Sequence, residues 1–321
     1  MKLPLSLAIA GALALGSSVS TPAQSAEKTK MTKSAATPAA DSNPFFIESP
    51  LQLHFPEFNK IKDSHFAPAF DRGMAENSRE IEAIANNTAE PTFENTILAM
   101  EKSGQLLGRA VRVFGNLTSA NTNDALDKLD EEYSPKFAAH FDSVYLNAKL
   151  FERIKTLYAK RNDLGLDAQG VRLIERYNTD FVRSGANLTE AQKTRVKAIN
   201  AEMATLQTKF GQNTLAEVND SAVIVSDKAE LAGLSDEQIA VLAESAKSKG
   251  MEGKYRIALL NTTIQPLLPQ IDNRALRERI HKASISRGSR GNQWDNRDIV
   301  AKVAKLRAER ASIMGYPNYA A

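Results

Sequence analysis

From Asn43 onward the apolar positions recur mainly at helical spacing. Phe66, Phe70, Met74, Ile81 and Ile84 fall on one face of a segment His65–Asn87, which predicts an amphipathic helix. Pro91-Thr92 opens a second helix, with Phe93, Ile97, Met100, Leu107, Val111 and Phe114 as its buried stripe. A longer run, Asn121–Lys160, carries Leu126, Leu129, Tyr133, Phe137, Phe141, Tyr145, Leu150, Ile154 and Leu157. Pro135 is expected to kink or restart it, because proline lacks the amide hydrogen and clashes with the preceding turn. A further break is expected near Asn147. Asp167–Arg183 is another helix, and Gly185 suits a left-handed cap at its end.

Two later helices announce their own starts. Thr189-Glu190-Ala191-Gln192 and Ser235-Asp236-Glu237-Gln238 are capping-box sequences, in which the first and fourth side chains satisfy each other's backbone amides. The first opens a helix through Ile199, Met203, Leu206 and Phe210, and the second a short one ending near Gly250. Ala222–Val225 and Tyr255–Leu260 are short, apolar or β-branched, and bounded by turn residues, so they read as strands of a small sheet. Arg274–Arg287 and Asn296–Met314 are the final helices, the last closed by Gly315 and Pro317. No fixed-period repeat is present. The fold class is therefore mainly α with a small β element.

The first 42 residues follow a different pattern. Lys2 precedes an uncharged, mostly apolar run, Leu3–Leu15, and small residues lead to Ala23-Gln24-Ser25-Ala26. This is the pattern of a secretory signal peptide over residues 1–26, cleaved after Ser25 or Ala26. The run is too short to span a bilayer comfortably, and the competing reading is a buried or interfacial helix. The expected mature chain begins near Glu27, crosses the inner membrane and resides in the periplasm. No cysteine lies near the cleavage region, which excludes the bacterial lipoprotein route. Residues 27–42 are polar, lack apolar periodicity and read as a flexible linker before a folded region 43–321.

Composition narrows the chemistry. The 321 residues are 42% hydrophobic and 25% charged, enough for a sizeable core. No later apolar run is long enough for a transmembrane helix. The absence of cysteine removes disulfides, thiolate metal sites and cysteine nucleophiles. The four histidines, His54, His65, His140 and His281, are scattered, and none begins the HExxH spacing that places two imidazoles on one helical face. Each reads as a packing or surface histidine. No Gly-x-Ser-x-Gly elbow is present. Gly250-Met251-Glu252-Gly253-Lys254 resembles part of a phosphate loop, but its glycine spacing is wrong and Tyr255 follows; a turn before a strand fits better. Glu131 and Glu132 are adjacent on a helix and so point to different faces.

The net charge is only +3, which gives no whole-chain reason to expect nucleic acid or acidic membranes. Locally, Ile271–Arg310 holds eleven Lys or Arg against five Asp or Glu, led by arginines 274, 277, 279, 287, 290, 297, 307 and 310. Trp294 is the only aromatic residue there, so a base-stacking platform is lacking. Solvated helix faces or a surface meeting another part of a larger protein fit better than nucleic acid.

Several segments, in this order, resemble the thimet-oligopeptidase-like zinc peptidases, and among them the bacterial peptidyl-dipeptidases. They are Asn43-Pro44-Phe45, Phe55–Ile61, His65–Phe70, Phe93–Ile97, Asn147–Phe151, Arg172–Glu175, Leu231–Ser235, Leu259–Pro266, and finally Arg307–Ala311 with Gly315-Tyr316 and Tyr319-Ala320. The resemblance implies the N-terminal half of a largely helical, neurolysin-like fold with a deep channel between two halves. It implies an enzyme that releases C-terminal dipeptides from oligopeptides, with zinc held by the two histidines of HExxH and a downstream glutamate. No residue of this chain matches those positions, so no catalytic or metal residue is carried over, the substrate-binding residues are not identified, and no zinc is expected on this chain. The expected partner is a catalytic C-terminal half, and the chain alone is expected to be inactive. The alternative is a non-catalytic helical module that binds peptides or a partner. If the catalytic half is missing, the stripe Ile299, Val303, Leu306 and Ile313 of the last helix should be partly wet.

Overall fold

The computed structural model describes residues 43–321; the predicted signal peptide (1–26) and linker (27–42) lie outside the described residues. In chain order the helices are α1 (Phe66–Ala85), α2 (Ala99–Lys102), α3 (Gln105–Ala120), α4 (Asp124–Tyr145), α5 (Ala148–Lys160) and α6 (Ala168–Ser184). There follow α7 (Glu190–Asp220), strand β1 (Val223–Val225), α8 (Asp236–Lys247), β2 (Tyr255–Ile257), α9 (Asn261–Leu267), α10 (Arg274–Ile285) and α11 (Arg297–Ile313). The mainly α class with a small β element is what the residue pattern predicts. The described residues form two compact units, one of 43–77 with 104–126 and one of 78–103 with 127–321.

The first unit is built on aromatic packing. Phe66 and Phe70, one helical turn apart, are fully buried, and Phe45 and Phe114 close on them with ring centroids 5.1 to 5.2 Å away. Gly73 brings the backbones of α1 and α3 into contact, since a Cβ there would lie 2.9 Å from the Leu107 backbone. Arg109 donates to the Phe45 carbonyl at 3.0 Å, pinning the entry segment to α3.

In the second unit, Ile81, Ile84, Ile97, Leu150, Phe151, Ile154, Ile174 and Phe181 form one apolar cluster around α5 and α6. A second cluster packs the sheet, in which Val223 pairs antiparallel with Ile257, against α8, α9 and α10 through Leu231, Leu242, Ile264 and Leu276. α7 and α11 meet through Ile199, Met203 and Leu306, flanked by Leu206 and Ile313. On the α11 stripe Leu306 is buried, whereas Ile299, Val303 and Ile313 are half-buried.

Local structure departs from the pattern in four places. The single helix expected from Pro91 to Phe114 is divided into a π-helical turn (Phe93–Leu98), α2 and α3. The break falls at Gly104, whose φ of 66° is left-handed and whose missing Cβ leaves room for the Asn77 side chain. Pro135 neither ends nor restarts its helix; α4 runs through it. Its neighbour Ser134 bonds to Thr208 of α7 at 2.7 Å, so tertiary contact holds the helix where one backbone bond is lost. The strands are shorter than expected, and residues after Leu260 form α9, which the pattern did not suggest. Both capping boxes and the left-handed Gly185 (φ 110°) occur as expected.

Candidate functional site

The residues with potential for chemistry do not converge. His54 is exposed in a loop, its Nδ1 3.0 Å from the Ser49 carbonyl. His65 accepts a hydrogen bond from the Lys62 amide at 3.1 Å, a local turn contact. His140 is buried at 8% exposure beside Phe141, and burial lowers its pKa by penalising the imidazolium. His281 is exposed on α10. Among the described residues, no three His, Asp or Glu side chains are grouped so as to hold a metal ion. The donor set of the described residues does not fit zinc. Glu131 and Glu132 are both exposed; Glu132 pairs with Lys136 one turn on. Gly250–Lys254 is a turn ahead of β2, with Gly250 and Gly253 both at positive φ.

The arginine-rich stretch is largely committed to its own fold. Arg277 donates to the carbonyls of Ile271 and Asp272, Arg279 to Glu230 and the Ile224 carbonyl, and Arg287 to the Leu259 and Ser284 carbonyls. Arg297 pairs with Asp295, which holds that carboxyl well below the usual carboxylate range. Arg310 donates to the Arg183 carbonyl, and the Arg307 guanidinium lies over the Tyr319 ring at 5.0 Å. Guanidinium groups aimed at carbonyls and carboxylates of the same chain are not arrayed for phosphate.

Three polar clusters escaped the sequence reading. Glu217 of α7, 1% exposed, receives two bonds from Arg290, at 2.5 and 3.1 Å, and one from Asn292 at 3.0 Å. Arg290 holds the Glu217 carboxyl below its ordinary pKa, and Arg290 also bonds Asp220. Beside it, Asn296 accepts from Asn213 and donates to the Phe210 carbonyl and to Thr214. On α5, Arg153 donates to the carbonyls of Asn87 and Ala89 and to the side chains of Asn95 and Thr96, fixing the chain before the π-helical turn. Asp142 of α4 accepts from Asn200 at 2.7 Å while its other carboxyl oxygen is buried without a partner, and burial pushes its pKa up to about 6. The partners lie 57 to 86 residues apart, and no short-range pattern pairs them. A pocket of about 290 Å³ is lined by Arg183, Arg310, Met314, Tyr316 and Tyr319. Both arginines sit at helix C-termini, where a positive charge is favourable without any ligand.

No family model matches the chain. Curated relatives do: it is 43% identical over 279 residues, 87% of its length, to a dipeptidyl carboxypeptidase of Escherichia coli, and 44% identical over 280 residues to one of Salmonella typhimurium. It is 26% identical over 276 residues to an oligopeptidase A of Escherichia coli. Over the matched residues the chain is similar to these peptidases. It spans 41% of the length of the two dipeptidyl carboxypeptidases.

Within the family likeness, the segments that carry the resemblance have structural work in this chain. Asn95 and Thr96 supply two of the acceptors for Arg153. Asn147 caps α5 through the Leu150 amide at 3.0 Å. Gly233, with φ 97°, lies so close to the Gln270 carbonyl that a Cβ would come within 1.9 Å of it. These are devices for folding this part of a dipeptidyl carboxypeptidase relative; none places a nucleophile, base or metal ligand. No described helix is long and apolar enough to cross a membrane.

Proposed function

We propose that the chain is the N-terminal part of an exported zinc peptidyl-dipeptidase that releases C-terminal dipeptides from oligopeptides. On this reading the chain alone is inactive, and zinc and the reacting groups belong to a catalytic part with the HExxH motif. The observation that carries the reading is the 43% identity over 279 residues to a dipeptidyl carboxypeptidase. The scattered histidines support assigning the chemistry elsewhere, because a catalytic zinc needs three protein ligands around an open position. Export to the periplasm rests on Lys2, the apolar run to Leu15 and the small residues ending at Ala26.

The test compares the purified chain with a fusion in which the unmatched remainder of the Escherichia coli relative is joined to it. Both are assayed on short peptides with added zinc. The chain alone is expected to give no turnover, and the fusion to release C-terminal dipeptides in a chelator-sensitive manner. Chelator-sensitive turnover by the chain alone would overturn its assigned inactivity, and a folded fusion without dipeptide release would overturn the activity. N-terminal sequencing of exported protein is expected to begin near Glu27; retention of Met1 to Leu15 would sink the export signal.

A further inference from the structure

The loop from Ile47 to Phe58 presents an unusual run of apolar side chains to solvent. Leu53 is 92% exposed, Ile47 70% and Phe55 60%, with Leu51 and Phe58 also exposed. Single exposed apolar residues are ordinary, but five in one short stretch form a patch. The backbone is also strained: Leu53 and His54 have φ of 55° and 54°, and among the described residues no other non-glycine residue is left-handed. Hydrogen bonds hold this shape. Ser49 Oγ donates to the Phe55 carbonyl at 2.6 Å and accepts from the Leu51 amide at 3.3 Å, while His54 Nδ1 lies 3.0 Å from the Ser49 carbonyl. The loop is thus closed at its base with Leu53 at its outward tip. Strain kept in a defined loop points to a role beyond local packing.

We propose that this loop docks against an apolar surface on the part of a dipeptidyl carboxypeptidase that the chain does not match. The inference rests on the proposed function, in which such a part exists. The chain spans 41% of the relative's length, so more than half of that protein is available to supply the surface. Phe55 and Phe58 belong to a segment that carries the family resemblance, yet their rings pack on each other at 5.8 Å rather than in a core. A second copy is a poorer occupant, because a stable dimer buries about 1,600 Å² in total, far more than one loop supplies. An anionic membrane is also poorer, since Glu48 and Glu57 flank the apolar tip.

The chain has no cysteine, so Leu53→Cys introduces a single thiol. Its labelling rate, read at that position by mass spectrometry, is compared in the chain alone and in the fusion with the remainder of the Escherichia coli relative. Labelling is expected to slow by about tenfold or more in the fusion, with Val241→Cys, on exposed α8, changing by less than about twofold. Equal rates at position 53 in both proteins would overturn the proposal. So would slowing in the chain alone that grows with protein concentration, which assigns the loop to a second copy, or with phosphatidylcholine–phosphatidylglycerol vesicles, which assigns it to lipid. As a second measurement, the pair Leu53→Ser and Phe55→Ser should lower the melting temperature of the fusion but not of the chain. A fusion that protects position 53 without turnover fails the proposed activity and keeps the docking; turnover without protection does the reverse.

Discussion

Asp142 and Glu217 are both carboxylates within the second unit, and their surroundings move them in opposite directions. Asp142 has one oxygen bonded to Asn200 and one without a partner, so burial favours the neutral acid and raises its pKa from 3.8 to about 6. Folding therefore favours proton uptake by Asp142, and stability falls as pH rises from about 4 to about 6. Asp142→Asn keeps an acceptor for Asn200 and removes the charge. It is expected to stabilise the chain by roughly 2 kcal/mol at pH 7 and by almost nothing at pH 4. Denaturant melts at the two pH values measure this, and a stabilisation that persists at pH 4 would contradict it. Glu217 has the opposite sign: Arg290 lowers its pKa below 4.5, so its stabilisation is present above about pH 4.5 and is lost as pH falls through the lowered value. Arg153 acts by hydrogen bonding to two carbonyls and two side chains. Arg153→Met leaves those acceptors without their donor and is expected to cost about 3 kcal/mol in urea melts. A loss below about 1 kcal/mol would mean that water replaces the guanidinium.

Elements were legible where one face or one cap decides them. The Thr189 and Ser235 boxes, the Gly185 cap and the strands around Val223 and Tyr255 need only a few neighbouring residues, and all occur. The division of Phe93–Phe114 was hidden, because the stripe from Phe93 to Phe114 keeps helical spacing across Gly104 while the break depends on the Asn77 side chain. Continuity through Pro135 was hidden for the same reason, since the bond from Ser134 reaches α7. The polar clusters at Arg153, Glu217 and Asp142 were wholly illegible, each joining separate elements. At Gly233, in a loop, the constraint comes from a distant part of the chain: a Cβ there would meet the Gln270 carbonyl. Gly233→Ala must relieve both a positive φ and that collision. It is expected to cost on the order of 3 kcal/mol, read as a lowered urea midpoint with an unchanged slope. A near-wild-type midpoint would show that the loop after Leu231 shifts freely.

At the scale of the second unit, the described residues pack in separate apolar clusters, around α5 and α6, around the sheet, and between α7 and α11. Around α5 and α6, Leu150, Ile154, Ile174 and Phe181 are fully buried. Between α7 and α11 the apolar cluster has three buried members, Ile199, Met203 and Leu306, with Leu206 and Ile313 at its margin. Val300 is 54% exposed, and Ile299 and Val303 are half-buried. The ion pairs that also join these helices, Arg195–Glu309 and Lys302–Glu202, are largely solvent-exposed and therefore weak supports. Local opening requires loss of the contacts holding one element, not of the whole fold, so the weakest cluster sets the first opening. α11 is accordingly expected to detach before α5 and α6 unfold. Amide hydrogen exchange in the middle of α11 should be about tenfold faster, or more, than in the middle of α6 at neutral pH. Leu306→Ala, which empties the centre of the α7–α11 cluster, should speed exchange in α11 further while leaving α6 unchanged. If α11 and α6 exchange at one common rate, and Leu306→Ala accelerates both equally, the second unit opens as a single cooperative body and the clusters are not independent.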